Sequence, residues 1–565
     1  MENRNWIFPA PIEAALSTRI ERELGVARFV AELLVRRGFH LPENAARFLQ
    51  PQLKTLGDPF LLPQMEAAVT RILAAVDRGE RIVLYGDYDV DGVTSLTLLA
   101  RTLRAFGATP QCFLPLRADE GYGLTADGVA RCVGEHAPQL LIAVDCGTSS
   151  VAEIAGLQAQ GVDVVVLDHH ECKDTLPACI ALVNPKLADG YHYLCSVGLV
   201  FKLAHALLKR RPVPGFDLKE LLDLVALGTV ADLVPLHEEN RVLVRRGLTQ
   251  LEHTKWVGLR ALIDVAGIKP PFKPADVGFG LGPRLNAAGR LGTAQDALEL
   301  LLTDDPLRAR AIAASLDAQN RERRAVEDDV LKQAEAQLEE WFDPALHAAI
   351  VVGAPGWHPG VVGIVASRLQ RRHHRPTLVI GFDEAGFGKG SGRSIPGFSL
   401  VASLAHCGEF LERHGGHEMA AGLTLMRPHF EAFRDAFRSR AREILDEAQL
   451  QPIQPLDVEL TLGEIDYELL GHHESLQPFG MANPQPIFVA RKVTLVFEPR
   501  VMKEKHLSLM LRQGRDEHRA VWFGAATEPL PPQPWDVAFT IERNEWQGNV
   551  SAQIQIKTAR TSVAD

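Results

Sequence analysis

Apolar residues follow two different spacings along the middle of the chain. Short unbroken apolar runs predict buried strands, whereas apolar residues three and four apart, as at Val69, Ile72 and Val76, predict helices. The strands that we predict from such runs lie at 82–86, 111–116, 140–145 and 162–168, with helical segments between them. This alternation predicts a mostly parallel sheet with right-handed crossovers.

The pattern changes further along the chain. Residues 305–342 are rich in Ala, Glu, Arg and Leu, and they predict one helix on the order of 50 Å long at 1.5 Å per residue. Strand and helix patterns alternate again at 345–445. After about Pro452, short alternating strands separated by turns predict a small β-barrel.

Together these patterns predict an α/β protein with two α/β lobes joined by the long helix and followed by the barrel. A chain of 565 residues is too long for a single core. We predict a helical N-terminal segment that packs against or caps another part, then the first lobe, a connecting region, the second lobe and the barrel, at 1–60, 61–255, 256–343, 344–448 and 449–565. The long helix is expected to hold the lobes on either side of a groove.

Composition is that of a soluble globular protein, with 46% hydrophobic and 23% charged residues. No apolar run reaches the roughly 18–20 residues needed to cross a bilayer, and we expect neither a membrane span nor a signal peptide. Seven cysteines without a C-x-x-C pair indicate reduced thiols in a cytoplasmic protein. The net charge of −11 does not indicate nucleic-acid binding, and it does not exclude a local basic channel.

Three carboxylates, Asp87, Asp89 and Asp91, follow the apolar run in RIVLYGDYDVDGVTS. In extended backbone, residues two apart lie on one face, so we expect all three to point the same way at the carboxyl end of the strand. Such close carboxylates repel each other unless cations neutralise them, which indicates a metal site. An EF-hand is an alternative, but its twelfth position, normally Glu, is Leu98. Turn-forming and helix-capping aspartates without metal are another.

Further candidate ligands follow other apolar segments. One strand ends in Asp145, the next in Asp168, His169 and His170, and an apolar helix ends at Asp232. Ligands of open α/β sheets bind at the carboxyl ends of strands, so these side chains are expected to meet there. Carboxylate with imidazole suits Mn²⁺ or Mg²⁺ better than a thiolate zinc site.

These motifs carry a family resemblance. GDYDVDG, VDCGTS, LDHHE and GTVADLVPL resemble the successive motifs of the DHH phosphoesterase family. GLGPRLNAAGRLG, GWHPGVVGIVASRL, GSGRSIPGFSL and GGHEMAAGLTL resemble those of its exonucleases that act on single-stranded DNA. The resemblance runs in order from about Arg81 to the C-terminus. It implies that the second lobe is a DHHA1 domain and that the barrel is an OB-fold.

The resemblance also implies two bound ions, Mn²⁺ or Mg²⁺. Its ligands would be Asp89, Asp91, Asp145, His169 and Asp232, with Asp87 and His170 close to the ions or bonded to them. Asp168 would orient a histidine, and either Asp91 or Asp145 would bridge the ions. Two divalent ions suit phosphodiester hydrolysis, because they lower the pKa of a water and hold both the attacking and the leaving oxygens.

Candidate substrate-binding residues lie in or beside glycine-rich segments of the first lobe, the connecting region and the second lobe. They are Arg117 and Tyr122 in the first lobe, Arg284, Asn286 and Arg290 in the connecting region, and His358, Arg368, Lys389, Ser391, Arg393 and His417 in the second lobe. We expect the backbone amides of GFGKGSGRS to form an anion nest, and Arg117, Ser391 and Arg393 to bind a terminal 5′ phosphate. Solvated surface charges are the alternative for each arginine.

The function implied is a 5′-to-3′ exonuclease that degrades single-stranded DNA to nucleotides during recombination and repair. The alternatives are a phosphodiesterase acting on oligoribonucleotides or cyclic dinucleotides, and a non-catalytic scaffold in a replication complex. In the barrel, Arg491, Lys492, Lys503, Lys505, Trp522 and Trp546 could contact DNA, and the aromatic residues could equally be core. The resemblance implies a monomer, with a single-strand-binding protein and a RecQ-type helicase as candidate partners.

Overall fold

The computed structural model describes residues 5–116, 120, 123–187, 189–291, 294–546 and 548–562, with the backbone alone at 290, 291, 546 and 549. The chain divides into two compact units, of which the first contains Phe8–Asp317 and the C-terminal residues from Pro455. The second contains Ala318–Gln454 and the first strand of the chain. None of the described helices combines the length and the apolar character that a bilayer crossing requires.

The described chain begins with a short strand and three helices, namely β1 (Asn5–Ile7), α1 (Ala14–Leu24), α2 (Arg28–Arg36) and α3 (Pro42–Leu49). The buried side chains of α1–α3 share one core with the C-terminal residues, and the ring of Phe29 meets the ring of Phe488 edge-on with centroids 5.7 Å apart. The N-terminal segment therefore packs against the C-terminal barrel.

The first α/β domain is built on a five-stranded sheet. Its elements are α4 (Met65–Arg78), β2 (Ile82–Gly86), α5 (Val90–Ala105), β3 (Gln111–Phe113), α6 (Ala126–His136), β4 (Leu140–Val144), α7 (Val151–Ala159), β5 (Asp163–Leu167), β6 (Ala181–Val183), α8 (Ser196–Arg210), α9 (Leu222–Ala231) and α10 (Glu238–Glu252). The strand order is β3-β2-β4-β5-β6, and every pairing is parallel. The four predicted strands are confirmed, and the fifth, β6, was not predicted.

A helical region follows the first domain. It contains α11 (Val257–Ala266), α12 (Pro274–Asp276), a π-helical turn at Val277–Leu281, α13 (Gly282–Leu291), α14 (Gln295–Leu302) and α15 (Pro306–Trp341). The predicted long helix is confirmed as α15, whose 36 residues span about 54 Å at 1.5 Å each. The glycine-rich stretch from Gly278, which carries the candidates Arg284, Asn286 and Arg290, is helical.

The second unit contains a mixed five-stranded sheet. Its elements are β7 (Ile350–Pro355), α16 (Pro359–His373), β8 (Thr377–Phe382), β9 (Phe387–Arg393), α17 (Leu400–His406), β10 (Arg413–Gly416), β11 (Ala420–Met426), α18 (Phe430–Ile444) and β12 (Ile453–Pro455). The strand order is β10-β11-β9-β8-β7, and within this sheet only β7 and β8 run parallel among the described residues. Strand β12 pairs with β1 in a separate small sheet.

The glycines of β9 face the core of this unit. A Cβ on Gly388, Gly390 or Gly392 would lie 2.6, 2.7 or 2.5 Å from a side-chain atom of Phe382, Ile380 or Leu378. The segment pairs with β8 on one side and with β11 on the other, in extended backbone. The predicted anion nest at GFGKGSGRS is therefore wrong, because its glycines are needed for close packing of a strand.

The C-terminal residues form a closed β-barrel. Its elements are β13 (Val458–Glu459), α19 (Tyr467–Ser475), β14 (Phe488–Leu495), β15 (Arg500–Met502), β16 (His506–Gln513), β17 (Asp516–Trp522), β18 (Trp535–Trp546) and β19 (Asn549–Thr561). The order β14-β18-β19-β17-β16 is closed by pairing of β16 with β14. The predicted OB-type barrel is confirmed. Trp522 is buried in the barrel core beside Trp535, so the prediction that it could stack on DNA is wrong.

Candidate metal centre

The acidic motif lies between β2 and α5, and its geometry differs from the predicted one. Asp87 follows the strand in a turn, Asp89 is the N-cap of α5, and Asp91 lies in the first helical turn. Asp89 Oδ1 accepts a hydrogen bond from Gly92 N at 3.0 Å. A Cβ on Gly92 would come within 2.4 Å of Asp87 O, so this tight turn requires glycine. A turn and a helix start, and not an extended strand, bring the three carboxylates together.

This geometry decides between the alternatives for the motif. An EF-hand loop would run on for twelve residues, but α5 begins at Val90 and its Leu98 is buried, so the EF-hand is excluded. The capping alternative is correct for Asp89, which caps α5. Asp89 also lies in a group of carboxylates with Asp87 and Asp145, so capping does not exclude a metal site.

Asp91 and Asp145 are held by the N-terminus of α8. Asp91 Oδ2 accepts from Ser196 N at 2.7 Å, and Asp91 Oδ1 accepts from Val197 N at 2.9 Å. Asp145 follows β4 in the left-handed region with φ of 64°, and its Oδ1 accepts from Ser196 Oγ at 2.7 Å. Non-glycine residues in this region are strained and gather at functional sites. The sequence interpretation missed Ser196, whose only local signal is its place before an apolar helix.

Asp168 organises the residues that follow β5. Its Oδ1 accepts from His169 N at 2.8 Å, from His170 N at 3.2 Å and from the His170 ring at Nδ1, 2.7 Å away. Its Oδ2 accepts from Thr148 N at 2.9 Å. Asn184, also missed from the sequence, donates to Thr148 Oγ1 at 2.9 Å and to His170 O at 3.0 Å. Asp168 thus orients His170, in the manner expected of it.

Asp232 enters the cluster at the C-terminal end of α9. His169 Nε2 lies 3.4 Å from Asp145 Oδ1, 3.7 Å from Asp232 Oδ2 and 4.0 Å from Asp91 Oδ2. Helix α9 approaches closely because it carries Gly228, where a Cβ would lie 2.9 Å from Asp91 Oδ1. Residues from four separate parts of the chain therefore lie close together, of which Asp145 and His169 follow strands whereas Asp91 and Asp232 lie at the ends of helices.

Burial and the crowding of negative charge raise the pKa values of these acids. Burial, followed by repulsion from neighbouring carboxylates, raises the pKa of Asp91 to about 7 and that of Asp232 to about 8. The same causes raise the pKa of Asp145 well above its ordinary value. Without a cation these groups would hold protons near neutral pH.

The two histidines differ in their charge. Burial lowers the pKa of His169 to about 4, so its imidazole is neutral at pH 7 and can donate a lone pair. Burial also acts against protonation of His170, but the hydrogen bond and the charge of Asp168 outweigh it and raise the pKa of His170 to about 9. The same contact with His170 holds the pKa of Asp168 well below its usual range, against its burial.

The donor set fits divalent cations. Ligand atoms lie within 4.8 Å of one another in three groups, namely Asp87 with Asp89 and Asp145, Asp145 with His169 and His170, and Asp91 with Cys195 and Asp232. Asp232 Oδ2 is buried and accepts no hydrogen bond from the described residues. A cation would satisfy that oxygen and remove the repulsion. Oxygen-rich sites with imidazole suit Mn²⁺ and Mg²⁺.

The other candidates in the first unit are only partly described. Arg117 and Tyr122 lie outside the described residues, and so does the side chain of Arg290. Arg284 donates from Nε to Asp317 Oδ1 at 2.9 Å and from Nη1 to Gly280 O at 2.7 Å, so it braces α13 against α15. Asn286 is half-buried on the same helix.

The candidates in the second unit divide into two groups. Arg393 and Ser391 lie on the face of β9 that opposes the core glycines, with Arg393 Nη1 3.3 Å from Ser391 Oγ, and Lys389 is exposed on the same face. By contrast, His358 caps α16 through Nδ1, and Arg368 pairs with Asp328 of α15 at 2.7 Å. His417 is exposed in the turn after β10.

Models of known families match three parts of the chain. The DHH family N-terminal domain matches residues 81–229, the DHHA1 domain matches 344–443 and the RecJ OB domain matches 456–558. These matches confirm the predicted resemblance for the first lobe, the second lobe and the barrel.

Relatives of known name match nearly the whole chain. The single-stranded-DNA-specific exonuclease RecJ of Bacillus subtilis is 38% identical over 99% of this chain and 71% of its own length. The crystal structure of RecJ from Thermus thermophilus in complex with Mn²⁺ covers 100% of this chain and 81% of its own, with 32% identity and a TM-score of 0.84. The complex of the same protein with Mg²⁺ covers 99% and 79%, with 30% identity and a TM-score of 0.79.

Proposed function

The chain belongs to the RecJ family of single-stranded-DNA-specific exonucleases, and we propose that it hydrolyses single-stranded DNA from the 5′ end and releases nucleotides. Its place in the cell would be the cytoplasm, in recombination and repair. The observation that carries the proposal is the cluster of buried carboxylates around His169, with an oxygen of Asp232 that lacks a donor among the described residues.

Two divalent cations, Mn²⁺ or Mg²⁺, are the cofactors of this proposal. Asp89, Asp91, Asp145, His169 and Asp232 would hold them, with Asp87 and His170 at the edges of the same cluster. When bound, such ions supply positive charge that lowers the pKa of a water molecule and stabilises the phosphate oxygens during hydrolysis. No covalent enzyme intermediate is required.

The surrounding residues of the chain fix the ligands in place. The two amides of α8 and the Ser196 hydroxyl hold Asp91 and Asp145 in one orientation. Asp168 fixes the turn that carries both histidines. Preorganised ligands lose little entropy when an ion or a substrate phosphate arrives, which is the usual role of such supporting hydrogen bonds.

His170 is the candidate for contact with substrate. Its ring is 42% exposed, and the Asp168 carboxylate favours its cationic form. A cationic imidazole beside the ligand cluster would attract the negative phosphodiester and could donate a hydrogen bond to one of its oxygens.

The 5′ polarity of the proposal rests on Ser391 and Arg393, which lie side by side on one face of β9, as contacts for the terminal phosphate. The expected contact of Arg117 with the same phosphate stays a prediction. Burial lowers the pKa of Arg393, whose guanidinium nevertheless stays charged at neutral pH and could form a bidentate contact with phosphate. A single-strand-binding protein and a RecQ-type helicase as partners, and a monomeric state, remain predictions.

The test is a cleavage assay with Mn²⁺ on single-stranded DNA labelled at the 5′ or the 3′ end, with Asp89→Ala as the inactive control. We expect the 5′ label to appear first as a mononucleotide. Earlier release of the 3′ label would contradict the polarity, and RNA cut as fast as DNA would favour an oligoribonucleotide phosphodiesterase. A folded protein without any cleavage would favour the non-catalytic scaffold.

A further inference from the structure

A pocket of about 440 Å³ lies in the first unit, and none of its lining residues belongs to the metal centre. It is lined by Gln50, Pro51, Gln52, Lys54, Arg245 and Arg246. These residues come from the segment after α3 and from the C-terminal half of α10. Pockets for small ligands have volumes of roughly 300–1,000 Å³, so the size is right for one nucleotide.

Contacts between α3 and α10 shape the wall of the pocket. Arg241 Nε donates to Phe48 O and Arg245 Nη1 donates to Leu49 O, both at 2.7 Å. These carbonyls belong to the last turn of α3, where a helix attracts positive charge. The two arginines thereby fix the chain just before Gln50.

The pocket carries positive charge without a compensating acid. Lys54, Arg245 and Arg246 all line it, and no lining residue is acidic. Burial, followed by repulsion from Arg246, lowers the pKa of Arg245, which places the two cations close together. In a chain with a net charge of −11, this is a local site for an anion.

The polar lining favours a nucleotide over an acidic peptide. Guanidinium groups bind phosphate oxygens in pairs. The side-chain amides of Gln50 and Gln52 can donate and accept hydrogen bonds, as the edge of a nucleobase requires. An acidic peptide would need an extended row of cations, whereas these three line one pocket.

We propose that this pocket binds a nucleotide through its phosphate group. The ligand is either a released deoxynucleoside monophosphate or a phosphate of the DNA strand. The inference rests on the proposed function only in that the nuclease activity would bring these two ligands to the protein. A site for the released product would let its concentration act on the enzyme, and a site for the strand would extend the DNA contacts beyond the metal centre.

The test measures equilibrium binding of thymidine 5′-monophosphate and of a labelled oligothymidylate, with EDTA present so that metal ions do not contribute. The variants are Lys54→Glu, Arg246→Glu and the double variant, and the matched control is Arg104→Glu, an exposed arginine at the end of α5. Lys54 and Arg246 are exposed, so their replacement should leave the melting temperature unchanged.

We expect the double variant to bind at least one of the two ligands about tenfold or more weakly, with Arg104→Glu unchanged. Loss confined to the monophosphate identifies a product site, and loss confined to the oligonucleotide identifies a strand site. Unchanged binding of both ligands overturns the proposal, and so does binding of an oligoaspartate peptide in their place. The assay measures binding and not hydrolysis. The outcome for the pocket can therefore be interpreted even if the protein proves to have no nuclease activity.

Discussion

Two motifs with the same spacing behave in opposite ways. Asp87, Asp89 and Asp91 alternate along the chain as a strand would, yet they occupy a turn and the start of α5. The glycines of β9 suggest a loop, yet they lie in a strand and fill one of its faces. In the first motif a close turn forces the acids together, and in the second close packing excludes side chains. Alternation of one residue type along the chain therefore predicts the backbone conformation only when the packing partners of those residues are known.

The largest expected effect distinguishes two aspartates at opposite ends of α9. Asp232→Asn should lower kcat/KM by roughly a thousandfold, equivalent to ~4 kcal/mol, because it removes a charged ligand from the metal centre. Asp223 is also buried, but its oxygens accept from Leu224 N and from Thr254 Oγ1. Asp223→Asn should keep its activity while the protein stays folded. Equal losses for the two variants would mean that burial, and not metal binding, explains the acids.

A second contrast concerns two buried histidines whose pKa values are both lowered to about 4, His169 and His473. Neither ring nitrogen of His473 has a hydrogen-bond partner among the described residues. The unfolded chain binds the proton more readily between pH 6.5 and 4, so stability falls as the pH is lowered through that range. The free energy of unfolding should drop by at most about 3 kcal/mol.

Urea denaturation of the native protein and of His473→Leu, at several pH values, measures this effect. The native protein should lose stability relative to His473→Leu as the pH falls from 6.5 to 4, because the variant has no group to protonate at that position. Parallel curves would contradict the buried neutral state of His473.

A third prediction addresses how the acids are held. Ser196→Ala removes the hydroxyl that donates to Asp145 Oδ1 and should weaken Mn²⁺ binding by about 10–100-fold. Titration calorimetry with Mn²⁺ measures the affinity. Thr102→Val is the control, since that buried hydroxyl donates to Leu98 O within α5. An unchanged Mn²⁺ affinity in Ser196→Ala would mean that the α8 amides suffice.

The smallest effect is expected in the glycine motif. Gly388→Ala places a methyl group 2.6 Å from the ring of Phe382 and should destabilise the second unit by about 1–3 kcal/mol. Gly422→Ala, on the neighbouring strand β11, would place its methyl group 3.8 Å from Gly390 O and should be close to neutral. Thermal unfolding of both variants decides the matter. If Gly388→Ala lost DNA affinity without losing stability, the glycines of β9 would serve anion binding and the packing explanation would be wrong.

The sequence allowed much of the centre to be predicted, because a strand ends where its apolar run ends. Asp145 and His169 follow such runs directly, and the carboxyl ends of neighbouring parallel strands must meet at one edge. Asp232 could be placed because an apolar helix leads to it. These inferences need only local pattern and the general geometry of parallel sheets.

Other features depend on contacts between distant residues, which spacing does not encode. Ser196 reaches Asp91 across 105 positions of the chain, and Phe29 meets Phe488 in the core shared by the two ends. Strand β6 has only three residues, too few for a periodic pattern. The burial of Trp522 follows from closure of the barrel, which is also a long-range event.

The most direct test is an anomalous difference map from crystals grown with Mn²⁺. We predict two peaks within coordinating distance of the cluster, with Asp91, Asp145, His169 and Asp232 among the ligands. Peaks elsewhere, or an empty cluster at saturating Mn²⁺, would contradict it.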